Sequence, residues 1–404
     1  MSRNERIALT LGVIFLLVCV TLGSLCTWWA TNALDFDRER ERANAVARAW
    51  DRADRTPQWS SDGTFLVVNV RHDILKIDVA TGEVSRIFDD DDWGRYSPLL
   101  SPNNRTLAYI RNLEDWHYPV LEITDVDGRR PTNLGRAWPL AWSPDGSRLL
   151  YRRYNPERGE VGNEATYDSV VLYHETEPEI SWPIRDPNDA RIASWSRDGN
   201  FIAFLGIHSA GRDISLYITK SDGTERAAVY DGSGDMVSRP GWTVDGSLVF
   251  AAVEQENGIP QNRLYRVDID GQNGNILTEL PTEVVLPGLP MPESTIPKGS
   301  ILRVVPSPNG AEILLFSTGG DELFIHQHHI PAGRIDVWKR GNQEVTPLPT
   351  WGRLYGSWSP DGKHIAVFQR KLNEGQIYVV PSDGSDPKLI FDQKTYELMQ
   401  GKGK

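Results

Sequence analysis

The sequence predicts an all-β chain, a seven-bladed β-propeller preceded by one N-terminal transmembrane helix. Three observations carry that prediction. A Trp-Ser-x-Asp-Gly type hairpin recurs seven times, a strand of alternating apolar and polar residues follows each copy, and an uncharged apolar run occupies 7–30. The composition agrees: across 404 residues, 39% hydrophobic and 24% charged side chains are the mixture of a folded domain. The 35 Gly, 26 Pro, 14 Trp and 13 Tyr suit many short strands joined by tight turns.

The apolar run comes first in the chain. Residues 7–30 read IALTLGVIFLLVCVTLGSLCTWWA, long enough at about 1.5 Å per residue to span a hydrocarbon core of about 30 Å. It outlasts the roughly 7 to 15 residues of a cleaved signal, and Trp28 and Trp29 suit an interfacial aromatic belt. Arg3 and Arg6 precede it closely, and Asp35 and Asp37 come before Arg38, Arg40 and Arg42 beyond it. The expectation is a single-pass cell-membrane protein with 1–6 in the cytoplasm and the propeller on the extracytoplasmic side. Residues 31–56, rich in charges of alternating sign, read as a juxtamembrane stalk.

The hairpin repeats occupy 57–392. They are WSSDGTFLVV (59–68), LSPNNRTLAYI (100–110), WSPDGSRLLY (142–151), WSRDGNFIAF (195–204), WTVDGSLVFA (242–251), PSPNGAEILLF (306–316) and WSPDGKHIAVF (358–368). The turn Asp or Asn falls at 62, 103, 145, 198, 245, 309 and 361, and the two shortest steps match one four-stranded blade. Asp-Gly and Asn-Gly favour two-residue turns with positive φ at both centres, so each copy is expected to be a β-hairpin. A second signature follows each, as in LKIDVATGEV (75–84) and IYVVPSDGSD (377–386). There Leu75, Ile77 and Val79 alternate with Lys76 and Asp78, the period of a half-buried strand. Residues 393–404 read as a polar C-terminal tail.

A WSPDG hairpin followed by an LYVVxxDG strand resembles the TolB-type propeller repeat, also present in the propellers of dipeptidyl peptidase IV relatives. The resemblance covers roughly 57–392 and implies architecture, since function sits on grafted loops. TolB carries an α/β domain ahead of its propeller and the peptidases carry an α/β-hydrolase domain. The expected anchor and stalk stand in the first place, and the last expected strand lies near residue 392. Neither activity is carried over.

A G-x-S-x-G nucleophile elbow does not occur, so peptidase activity is not expected. His326 and His328, with His329, are the one histidine cluster and weak metal candidates without a partner carboxylate motif. Asp89 to Asp92 read as a solvated turn. Cys19 and Cys26 both fall in the apolar run, so no disulfide or thiolate metal site is expected in the folded domain. No cofactor is expected. A formal net charge of -12 argues against nucleic acid as a partner.

One pattern rises above this background. An arginine lies three to six residues before each hairpin: Arg55, Arg95, Arg136, Arg191, Arg239, Arg303 and Arg353. In a propeller those positions lead into the innermost strands, so a ring of guanidinium groups is expected at one mouth of the central tunnel, suited to carboxylates or phosphates. Trp93, Tyr96, Trp138, Trp351 and Tyr355 share these windows and add flat apolar surface. The bland alternative is that each Arg pairs with a neighbouring acid or covers the core with its stem. Two long insertions, 152–169 and 279–300, are further candidates.

The leading expectation is a membrane-tethered, non-catalytic binding scaffold that recognises an anionic peptide, protein or polysaccharide at the arginine-lined mouth. A second is a propeller hydrolase or lyase acting on a carbohydrate or lactone. A third is a structural docking module for another membrane protein.

Overall fold

The computed structural model describes residues 56–399 except 72, 89–93, 113–118, 155–159, 162–163, 166, 175–179, 184–191, 209–212, 234–235, 257–258, 270–275, 278–300, 318–332, 340–344, 350–352 and 372–373. The chain divides into two compact units, 1–51 and 52–404, and the first lies wholly outside the described residues. The second is built from antiparallel sheets in chain order.

The first sheet is β1 (Gln58–Trp59), β2 (Phe65–Val70), β3 (Asp73–Asp78) and β4 (Val84–Arg86). Next comes a seven-stranded sheet of β5 (Arg95–Leu100), β6 (Thr106–Asn112), β7 (Pro119–Asp125), β8 (Thr132–Trp142), β9 (Arg148–Tyr154), β12 (Tyr167–His174) and β13 (Ile180–Pro183). A small pair, β10 (Glu160–Val161) and β11 (Glu164–Ala165), lies between β9 and β12 in sequence. The third sheet is β14 (Ile192–Trp195), β15 (Phe201–His208), β16 (Asp213–Lys220) and β17 (Ala227–Ser233). The fourth holds β18 (Met236–Val237), β19 (Gly241–Trp242), β20 (Leu248–Glu256), β21 (Ile259–Ile269) and β22 (Ile276–Leu277). The fifth is β23 (Ile301–Pro306), β24 (Glu312–Ser317), β25 (Arg334–Lys339) and β26 (Val345–Pro347). The last is β27 (Arg353–Trp358), β28 (His364–Lys371), β29 (Glu374–Pro381) and β30 (Lys388–Asp392), followed by helix α1 (Gln393–Met399).

This is an all-β propeller with six blades among the described residues, which corrects the expectation of seven. The cause is local to β8. Arg136 pairs back to Val120 of β7, and the very next residue, Ala137, pairs forward to Arg153 of β9. No connection is left between the outer strand of the second repeat and the inner strand of the third, so the two repeats share one sheet. The expected transmembrane helix has no counterpart among the described residues. Among the described residues α1 is the sole helix, seven residues long, and no helix is long and apolar enough to cross a membrane. Residues 7–30 and the stalk up to residue 55 lie outside the described residues.

The hairpins form where expected, with a different turn. Gly63 N donates to Ser60 O (2.9 Å) and Ser60 N to Phe65 O (2.9 Å). Only the fourth residue of each turn has positive φ: Gly63, Asn104, Gly146, Gly199, Gly246, Gly310 and Gly362. The Asp before it is held by side-chain bonds instead of a left-handed backbone. Ser60 Oγ donates to Asp62 Oδ1 (2.6 Å), which also accepts from Thr64 N (3.0 Å). The alternation in β3 holds, with Leu75 and Ile77 buried and Lys76 and Asp78 half-exposed.

The core is a series of layers between successive repeats. Leu66, Val68, Leu75 and Ile77 of the first sheet pack on Ala366, Phe368, Ile377 and Phe391 of the last, which closes the ring. Each such aliphatic side chain contributes about 1.5–3 kcal/mol when fully buried. Indole N–H groups reinforce the seams. Trp59 donates to Ser357 O (3.2 Å), Trp142 to Leu99 O (2.8 Å), Trp242 to Ser194 O (3.1 Å) and Trp358 to Val305 O (2.8 Å). In every case the acceptor lies one residue before the matching position of the preceding repeat.

Candidate functional site

The innermost strands of the repeats are β1, β5, the second half of β8, β14, β19, β23 and β27. The Ser-x-Asp-Gly turns at their ends touch in series: Ser61 N donates to Asn104 Oδ1 (2.8 Å), Asn103 Nδ2 to Gly146 O (3.2 Å), and Asn309 Nδ2 to Gly362 O (3.2 Å). These turns therefore mark one end of the ring. The heads of the inner strands mark the other, and the strands flanking 113–118, 155–159 and 318–332 end there too.

The predicted arginines fall at those heads. Arg95 opens β5, Arg353 opens β27, Arg303 lies in β23, and Arg136 sits at the changeover of β8. Arg239 and Arg303 form a parallel β-bridge, with Val304 N donating to Arg239 O (3.3 Å). Two neighbouring inner strands are thus in register at their arginines. Both side chains are half-buried, and Arg303 Nη1 donates to Thr56 Oγ1 (3.2 Å) beside the Phe316 ring. Arg136 is exposed, 6.0 Å from the Tyr154 ring. Tyr96 and Trp138 approach at 6.2 Å, while Tyr355 packs edge-on against Phe368.

Arg95 behaves differently. It is 8% exposed, lies 4.3 Å over the Phe88 ring, and joins a network in which Tyr109 Oη donates to Glu122 Oε2 (2.6 Å) and Arg111 Nη1 to Glu122 Oε1 (3.3 Å). Burial first, and then the Glu122 carboxylate, push the Tyr109 phenol well above its usual range. Arg95 therefore belongs to the interior of the blade. Arg55, Arg191, Trp93, Trp351, His326 and His328 lie outside the described residues, as do Asp89 to Asp92, 279–300 and the Arg353 side chain.

Sequence reading missed a second tier. Arg111 stands directly opposite Arg95, Arg153 opposite Ala137, and Arg370 opposite Arg353, all at the same end of the sheets. Like charges directly opposite one another weaken a sheet unless a counter-charge intervenes. Glu122 is that counter-charge for Arg111. The signal was present in the sequence as arginine near the end of the second strand, in YIRN, YRRY and FQRK.

An arginine also bridges repeats at the turn end. Arg197 of the fourth repeat donates to Pro308 O (3.3 Å) and Ser307 O (3.4 Å) of the sixth, passing over the fifth. Burial lowers its pKa. Among the described residues no group of three or more His, Cys, Asp or Glu gathers to hold a metal ion.

This arrangement of blades about one ring decides the fold class. The chain is a β-propeller. Its structure is similar to hydrazine synthase from Kuenenia stuttgartiensis, at 14% identity over 82% of this chain and 96% of that one, with a TM-score of 0.56. It is also similar to an oligogalacturonate lyase in complex with manganese, at 14% identity over 83% and 88% of the two chains and a TM-score of 0.55. TolB from Acinetobacter baumannii is a more distant likeness, at 16% identity over 82% and 79%, with a TM-score of 0.44. At such identities the first two likenesses show the fold alone. No family model and no curated protein matches the sequence.

Proposed function

We propose that this propeller is a binding scaffold that takes the anionic groups of a peptide, protein or polysaccharide at the end where its inner strands begin. The observation that carries the reading is the main-chain bridge that holds Arg239 and Arg303 side by side there. Exposed Arg136 and the Tyr96–Trp138 pair add charge and flat surface around it. Guanidinium groups bind carboxylates and phosphates in a fork geometry, and a local cationic rim on a chain of net charge -12 discriminates anions from the rest of its surface.

The test is affinity capture from a cell extract by the full-length chain, comparing wild type with the Arg136→Ala/Arg239→Ala/Arg303→Ala variant after both are shown to melt alike. The reading expects a partner retained by wild type, lost from the variant and released by salt. Retention of the same partners by both overturns it and leaves the arginines a structural role.

A second reading, a lyase or hydrolase acting on a carbohydrate, draws on the likeness to oligogalacturonate lyase. It requires activity on a uronate polymer that a chelator abolishes.

A further inference from the structure

A slot of about 440 Å³ opens at the turn end, between the inner strands of the third and fourth repeats. Ala141, Trp142 and Pro144 line it from the third repeat, and Trp195 and Arg197 from the fourth. That volume lies toward the small end of the range for small-molecule sites, about 300–1,000 Å³.

The slot falls where one bond of the seam series is missing. Trp59, Trp142, Trp242 and Trp358 each donate to the carbonyl one residue before the matching position of the preceding repeat. For Trp195 that carbonyl belongs to Ala141. Trp195 is 8% exposed, yet among the described residues its Nε1 has no hydrogen-bond partner. A buried donor without an acceptor is costly, and native folds rarely keep one without a use for it. Here the unpaired indole belongs to the wall of an open slot.

Arg197 follows two residues later in the same wall. Its guanidinium donates only to main-chain carbonyls, Pro308 O (3.3 Å) and Ser307 O (3.4 Å). Among the described residues no carboxylate pairs with it, so its charge is left uncompensated. Trp142 and Pro144 give the opposite wall a flat apolar surface.

We infer that this slot binds a small aromatic monocarboxylate, whose oxygens accept from Trp195 Nε1 and face Arg197 while its ring lies against Trp142 and Pro144. The two donors select an anion, and charge-assisted hydrogen bonds are the stronger kind. The slot stands at the opposite end from the arginines of the proposed function, so either reading can fail alone.

The probe is 4-fluorophenylacetate, followed by fluorine NMR with the full-length chain and by the indole N–H signals of the protein. Wild type is expected to bind it saturably, and the indole signal that Trp195→Phe removes is expected to move downfield as a hydrogen bond forms. Trp195→Phe and Arg197→Gln, each first shown to melt cooperatively, are expected to weaken binding by about tenfold or more, the scale of a hydrogen bond to a charged group. The methyl ester is expected not to bind, and Arg239→Ala/Arg303→Ala to leave binding intact. The peptide Gly-Gly-Phe offers the same chemistry at a chain terminus: weaker binding than the free acid supports the inference, and tighter binding overturns the small-molecule assignment in favour of a peptide end. No binding to wild type, an unmoved Trp195 signal, equal binding by Trp195→Phe and Arg197→Gln, or equal binding of the ester each overturns the site. So does loss on Arg239→Ala/Arg303→Ala, which would place the acid at the arginine end instead.

Discussion

Asp62 accepts from Ser60 Oγ, Thr64 N and Thr64 Oγ1, and these bonds, the Ser60 hydroxyl first, hold its carboxyl down at about 2. Asp145 and Asp361 are lowered in the same way, with Ser143 and Ser359 as the leading donors. The native state thus favours their ionised forms. That stability is complete above the unfolded value near 4 and drains as pH falls through the lower folded values. The melting temperature is expected to fall between about pH 4 and pH 2. Changing Asp62, Asp145 and Asp361 together to Asn is expected to leave melting at pH 7 nearly unchanged and to flatten that acid limb, because Asn103 and Asn309 already fill the position in two repeats. An acid limb of unchanged slope would contradict this. The buried Ser359 hydroxyl both donates to Asp361 and accepts from His364 N, so Ser359→Ala is expected to cost roughly 1–3 kcal/mol in urea unfolding. The Ser-x-Asp-Gly recurrence was legible in the sequence. The turn conformation was not, because a serine hydroxyl replaces the second positive φ and dipeptide statistics do not register it.

Between elements, the indole bonds set the seams. Trp358 Nε1 donates to Val305 O, whereas among the described residues buried Trp195 Nε1 has no hydrogen-bond partner. Trp358→Phe strands a carbonyl and is expected to cost roughly 1–3 kcal/mol. Trp195→Phe removes an unpaired donor and is expected to cost markedly less; equal losses in thermal unfolding would refute the asymmetry. Gly241 marks a close approach of the fourth and fifth sheets, since a Cβ there would lie 2.8 Å from Val304 O and 2.3 Å from Pro306 Cδ. Gly241→Ala is therefore expected to destabilise by roughly 1–3 kcal/mol, the range for overpacking. Repeat spacing made the strands legible, but not the blade count. The TNLGRAWPLAW segment passes from one role to the next between Arg136 and Ala137, and no loop signal separates them. The arginine pattern was equally legible, while the depth of each side chain was not. Arg95 is buried because Phe88 and the Tyr109–Glu122 pair surround it, and those residues come from the segment after β4 and from β6 and β7.

At the scale of the ring, the first and last sheets depend on one another. Trp59 donates to Ser357 O, Ser357 Oγ to Pro57 O, and the cluster of Leu66, Leu75, Phe368 and Phe391 seals the seam. Removing residues 353–404 would expose that cluster, and the remaining chain is expected to lose its cooperative calorimetric transition. With the ring closed, its two ends differ in kind. Turns touch in series and Arg197 bridges repeats at one, while Arg136, Arg239 and Arg303 stand at the other. The anion binding proposed for the second end is tested most directly by a thermal-shift titration. Full-length wild type and the Arg136→Ala/Arg239→Ala/Arg303→Ala variant would be titrated with poly-glutamate, polygalacturonate and polylysine at two salt concentrations. If anions bind there, at least one polyanion raises the wild-type melting temperature, salt weakens the effect, and the variant loses it. Equal stabilisation of both proteins, or none by either polyanion, would contradict it.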